Sequence, residues 1–168
     1  MNSAAPSRKI VFAALAALLW FPLEAAAQDV ATRRAAFDQA GDPVSRAKAV
    51  AKLGEAQFQQ IHRQAGAGNY DEALRVLTDY RDTVKSAHAG LKASGRDAEK
   101  KPAGFKHLQI HLRQTLNRLN QLILSLPLDE RPPFEAVSRE LDAVDKELIE
   151  GLFPRRPGKK SDQKKPAN

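Results

Sequence analysis

The chain has 168 residues, with 27 Lys and Arg against 20 Asp and Glu, no cysteine, one Met and one Trp. Without cysteine there is no disulfide framework, no lipid-anchored lipoprotein, no covalent c-type haem and no thiolate metal site. At this length the chain holds one domain with a single core.

Met1 to Lys9 is polar and ends in Arg8-Lys9, Ile10 to Leu23 (IVFAALAALLWFPL) carries no charge, and Ala25-Ala26-Ala27 supplies small residues where a signal peptidase reads. These zones predict a secretory signal over residues 1–27, cleaved between Ala27 and Gln28. A spanning helix needs about 20 apolar residues, and Pro22 interrupts this shorter run, which disfavours a membrane anchor. Arg8-Lys9 is not a twin-arginine pair, so the expectation is a bacterial-type general secretory signal and a periplasmic or extracellular protein. Removing Arg8, Lys9 and Glu24 leaves 25 basic and 19 acidic residues, a net of +6. Of this, Pro154 to Asn168 carries +5, from Arg155, Arg156, Lys159, Lys160, Lys164 and Lys165 against Asp162. The body from Gln28 to Phe153 is therefore about +1, and the high pI belongs mainly to the tail.

Residues 28–42 form an N-terminal segment in which Val30, Ala36 and Phe37 suggest a short helix. After it, four segments repeat apolar residues at alternating spacings of three and four. The first runs through Val44, Ala47, Ala51, Phe58, Ile61 and Ala65, with Gly54 filling a gap in the stripe; the second through Tyr70, Ala73, Leu77, Tyr80, Val84, Ala87 and Leu91. The third contains Phe105, Leu108, Leu112, Leu116, Leu119, Ile123 and Leu126, and the fourth Phe134, Val137, Leu141, Val144, Leu148 and Leu152. Asp42-Pro43 reads as an N-cap followed by proline at the first helical position, and Asn69 after Gly66-Ala67-Gly68 as the next cap. Ser94-Gly95 ends the second helix, Pro102 opens the third, Leu126-Pro127 closes it and Pro132-Pro133 opens the fourth. The predicted helices are 43–66, 70–94, 102–126 and 133–152. Short loops make successive helices antiparallel, which predicts an all-α, up-down-up-down four-helix bundle over residues 43–153 with crossing angles near those of coiled coils. Lys106, Arg113 and Arg118 on the third helix face an acidic fourth helix, which predicts a solvated, salt-bridged seam.

Gly68-Asn69-Tyr70-Asp71-Glu72-Ala73-Leu74 resembles the turn and second-helix start of a tetratricopeptide repeat. That resemblance implies a helical hairpin used in protein binding. No second copy follows, and such arrays need several stacked repeats, so the segment reads as an ordinary turn and helix start.

His107 and His111, four apart, share a helix face and are the candidate metal ligands; with His62 and His88 they lie next to stripe positions. A bound metal needs more ligands than one pair. Neither a Glu-x-x-His nor a His-Glu-x-x-His motif is present, so the reading is amphipathic packing, with no metal or other cofactor implied. The tail PRRPGKKSDQKKPAN has no aromatic or large aliphatic side chain to place in a core and is expected to be disordered. Its six basic residues are candidate contacts for anionic lipid or glycan. It has no aromatic residue for base stacking, and export argues against nucleic acid as a partner. No Gly-x-Ser-x-Gly, phosphate loop or dinucleotide fingerprint occurs. The sequence thus predicts a non-enzymatic exported helical protein with a protein partner or scaffold role in the cell envelope. Its alternatives are polyanion binding through the tail and metal binding through edge histidines.

Overall fold

The computed structural model describes residues 21–154, with side-chain surroundings from residue 28 onward. Most of the expected signal and the basic residues from Arg155 lie outside the described residues. Among the described residues the fold is all-helical: α1 (Phe21–Gln39), α2 (Pro43–Gly66), α3 (Tyr70–Ala93), α4 (Ala103–Ser125) and α5 (Arg131–Leu152), with no strand.

Local chemistry explains where these helices begin and end. The Asp42 carboxylate accepts from the N–H groups of Val44 and Ser45 at 3.0 and 3.1 Å, satisfying donors that the first turn of α2 leaves open. Hydrogen bonding from the Ser45 side chain, together with these backbone bonds, holds its acid below the usual carboxylate range. Gly68, at φ +77°, takes the left-handed conformation that reverses the chain into α3. Asn69 stands at the N-cap position of α3 but does not cap it; its side-chain amide donates instead to Gln64 Oε1 at 3.0 Å. Pro102 precedes α4 rather than belonging to it, and its carbonyl accepts from Lys106 N at 2.7 Å. α5 starts at Arg131, two residues before the expected position. Pro132 and Pro133 fit inside its first turn because N–H groups there have no helical partner to lose.

The expected N-terminal helix is real and longer than its pattern, running through the Ala27–Gln28 bond. Phe37 is buried and Val30 packs partly against the core, whereas Ala36 is exposed. Arg34 and Arg46 lie over the Phe37 ring, with guanidinium carbons 5.9 and 5.5 Å from its centroid. Arg34 also crosses to α3, where it pairs with Asp79 and donates to Thr83 Oγ1 at 2.9 Å. The fully buried Gln57 of α2 donates to the same Asp79 at 2.6 Å, so one carboxylate ties three helices together.

The predicted stripes of α3, α4 and α5 face the core; in α2 the stripe is corrected, since Val44 and Ala51 are only half-buried and Val50 and Leu53 take the buried positions. Val50, Leu53, Phe58, Ile61, Leu77, Tyr80, Val84, Leu91, Leu108, Leu112, Leu119 and Leu141 are all fully buried, each large apolar side chain contributing about 1.5–3 kcal/mol. Contacts fix the pairing. Phe58 meets Tyr80 and Gln57 meets Asp79 between antiparallel α2 and α3. Gln109 meets Asp145, and Asn120 meets Ser138, between antiparallel α4 and α5. The two hairpins then lie against each other with like members adjacent. Glu55 pairs with Arg118 between α2 and α4, while Lys85 and Lys92 pair with Glu140 and Glu147 between α3 and α5. A Cβ at Gly104 of α4 would stand 2.6 Å from Leu91 Cδ2 and 3.4 Å from Val44 Cα, so any larger residue there would have to displace the buried Leu91 side chain.

The charge seam therefore differs from its expectation. Arg113 does pair with α5, but Arg118 turns back to α2, and the α5 acids Glu140 and Glu147 serve α3. Asp145, expected on a solvated face, is fully buried.

Candidate functional site

Two places gather chemistry. The first is a stack of rings where α2, α3 and α4 meet. Gly54 leaves room on α2 for His111 of α4 and Tyr80 of α3 to touch: the Tyr80 hydroxyl and His111 Nε2 are 3.1 Å apart. The rings stand edge to face with centroids 5.9 Å apart. Phe58 continues the stack against Tyr80 at 6.3 Å and against the exposed His62 at 5.5 Å. The Arg118 guanidinium lies 4.7 Å over the Phe58 ring and grips Glu55 with two nitrogens, at 2.6 and 3.3 Å.

Burial governs the titration of this cluster. It pushes Tyr80 well above the usual phenol range, against a weaker opposing effect of the Thr115 hydrogen bond. It pushes His111 down to about 4, an effect that Arg118 adds to and Glu55 resists. Hydrogen bonding to Arg118 keeps Glu55 below its usual range. At neutral pH the pair is thus a phenol and a neutral imidazole. A phenol held this firmly in its protonated form is a poor base or nucleophile. The arrangement joins three helices and fixes the α4 register.

The histidines separate accordingly. His111 turns into the Tyr80 contact, while His107, one turn earlier, is exposed. His88 is buried rather than at an edge, lining a cleft with Lys92, Phe105 and Glu147, and burial lowers its pKa. Among the described residues no group of three or more His, Asp or Glu is placed to hold a metal ion. The six tail candidates, Arg155, Arg156, Lys159, Lys160, Lys164 and Lys165, lie outside the described residues.

The second place is the outer seam of α4 and α5, which the sequence did not single out. An open cleft of about 360 Å³ is lined by Asn120, Ile123, Leu124, Glu135, Ser138 and Arg139. A second, of about 250 Å³, shares Asn120, Ser138 and Arg139 and continues to Leu116, Asn117, Asp142 and Arg113. Together they make one trough along the seam. At its end the chain turns at Pro127, and Leu124 and Leu128 stand 71% and 78% exposed. Arg131 holds this turn by donating to the Leu126 carbonyl at 3.0 Å and the Leu124 carbonyl at 2.8 Å, two acceptors that the end of α4 leaves open. The only sequence signal for the site was negative: Leu124 and Leu128 fall off the stripe, and isolated apolar residues off a stripe are common. At the head of the trough Asp145 is wholly buried. Arg113 Nη2 approaches its Oδ2 to 2.6 Å as an ion pair, without the alignment of a hydrogen bond, and Gln109 donates to its Oδ1 at 3.2 Å.

No family model matches the chain, and no curated protein or solved structure is significantly similar to it.

Proposed function

We propose that this is a non-enzymatic, exported helical interaction protein of the cell envelope, and that α2 to α5 act as an antiparallel up-down-up-down four-helix bundle whose α4–α5 trough receives a segment of a partner protein. The observation that carries this reading is the pair Leu124 and Leu128. Both are more than two-thirds exposed. Leu124 lies in the last turn of α4 and lines the cleft, and Leu128 stands on the following turn, which Arg131 pins in place. Exposed leucines on a helix end and the pinned turn after it, bordering a cleft, suit a docking surface, because little ordering entropy remains to be lost on binding. The Tyr80–His111 cluster supports a structural role, since it uses its polar groups internally. The hairpin α2–α3 has the form that the Gly68–Leu74 resemblance implies.

The test is affinity capture from envelope extract with the wild type beside Leu124→Ser/Leu128→Ser. Both residues are exposed, so the variant should keep its stability within about 0.5 kcal/mol. A protein retained by the wild type and lost by the variant supports the reading. Equal retention by both places any partner elsewhere and overturns it.

A further inference from the structure

The face of α4 that is turned away from the core carries a row of its own. Ile110, Asn117 and Leu124 are spaced by seven and all are exposed, Ile110 by 45%. Seven residues are close to two helical turns, so the three stand one above another. Leu128, just past the end of the helix, extends the row. An apolar row interrupted by one asparagine is a pattern by which paired helices fix their register. The charges at its two ends are opposite. Lys101 and Lys106 stand before the row, and Asp129 and Glu130 after it. None of these four has an ion pair among the described residues. The other cations along α4, Arg113 and Arg118, are held within the chain by Asp145 and Glu55.

We propose that a second copy of this chain docks on the outer face of α4, antiparallel and two-fold symmetric about Asn117. This rests on the reading of Leu124 and Leu128 as a docking surface and names its occupant. Positions equally far from Asn117 in opposite directions then meet. Ile110 opposes Leu124 of the copy, and Lys106 opposes Leu128 of the copy with Asp129 beside it. Asn117 meets its own equivalent, and an amide both donates and accepts, so the polar centre is satisfied. Each apolar contact and each ion pair occurs twice, as in any isologous interface. A parallel arrangement would set Lys106 beside Lys106 and Asp129 beside Asp129, so the charges select the antiparallel one. The two-fold axis stands perpendicular to the paired helices and keeps α5 and its copy on one side. The clefts at Asn117, Asn120 and Leu124 then open toward a shared groove along the contact. An unrelated apolar segment would cover the leucines and leave Lys106 and Asp129 unmatched unless it carried the same charges in reverse order. The chain's own α4, turned around, carries them.

The experiment is sedimentation equilibrium of the protein expressed from the full sequence, over a range of concentrations and at low and high salt. The wild type should dimerise, more weakly at high salt. Leu124→Lys should weaken the dimer at least a hundredfold, because symmetry counts the change twice. Lys106→Glu and Asp129→Lys should each weaken it several-fold, and the two together should restore it, a rescue that a purely structural role would not give. The chain has no cysteine, so Asn117→Cys under mild oxidation should yield a covalent dimer, and Arg63→Cys, on the exposed face of α2, should not. Every changed residue is exposed, so helicity by circular dichroism should stay the same. A protein that is monomeric at every concentration overturns the proposal. If that monomer still retains an envelope protein through Leu124 and Leu128, the docking reading stands with another occupant. A dimer that survives Leu124→Lys, or that the charge exchange does not restore, also overturns the proposal. A dimer and a captured protein both untouched by Leu124→Ser/Leu128→Ser would sink the two readings together.

Discussion

Gly54 and Gly90 are both helical glycines, and replacing each by alanine should move stability in opposite directions. In an open helix the change gains up to about 1 kcal/mol, because alanine restricts the unfolded chain and suits the helix better. Gly90 meets no atom within 4 Å of a new Cβ, so Gly90→Ala should gain about that amount. A Cβ at Gly54 would stand 2.6 Å from His111 Nε2 and 2.7 Å from Tyr80 Cε2. His111 is only part-buried and can swing aside, at the loss of its bond to Tyr80. Tyr80 is fully buried against Phe58 and cannot. Overpacking of this kind costs about 1–3 kcal/mol, and the lost hydrogen bond about 1 more. After subtracting the helical gain, Gly54→Ala should lose about 1–3 kcal/mol, lowering the melting temperature by roughly 4 °C per kcal/mol for a domain of this size. Urea denaturation of the two variants beside the wild type measures the difference directly. If Gly54→Ala gained stability as Gly90→Ala does, the ring stack would not be packed as described.

Three further outcomes follow from the polar contacts. Arg113→Ala leaves the fully buried Asp145 with Gln109 alone, and because Arg113 is itself half exposed the cost should be about 2–3 kcal/mol in urea, against under 1 kcal/mol for an ordinary exposed pair. Burial depresses His111 in the fold from 6.5 to about 4, so the unfolded chain binds its proton first; this contribution is present above pH 6.5, is lost as pH falls toward 4, and amounts to about 3 kcal/mol. His111→Gln should flatten that part of the stability–pH curve between pH 7.5 and 4.5, and an unchanged slope would contradict the burial of the ring. Arg34→Ala removes the link from α1 to Asp79 and Thr83, and should cost about 1 kcal/mol while speeding amide exchange in residues 28–39 relative to α2.

The sequence made the four long helices readable because each stripe faces one continuous core, and because Asp42, Gly68 and Gly95 punctuate it chemically. It was less informative about α2. That helix touches α1, α3 and α4, so its buried face spreads to Val50, Leu53, Ala56 and Gln57, beyond a single stripe. Which helices lie side by side was not readable either. Short loops dictate the sense of successive helices, but the like-with-like contact of the hairpins depends on small residues at Gly54 and Gly104, whose effect appears only across space. The buried polar groups Gln57, Thr83, Thr115 and Asp145 resemble surface residues in sequence. Thr83 satisfies itself partly on the Asp79 carbonyl of its own helix, but the partners of Gln57 and Asp145 come from other helices more than twenty positions away, and no local spacing encodes them. For the same reason His107 and His111 looked equivalent, and a glycine on another helix separates their roles.

The fold can also be viewed as layers. One hairpin rests on the next, and α1 covers the first hairpin on a face that the second does not use. Among the described residues nothing covers the second hairpin in the same way. Layered helical proteins satisfy each layer through its neighbours, and their end layers need polar outer faces or a cap. One end of this stack is closed by its own chain, and the other ends at the trough with Leu124 and Leu128 beside it. Among the described residues the stack is asymmetric: one hairpin is covered by a helix of its own chain, and the other carries exposed leucines beside its outer seam.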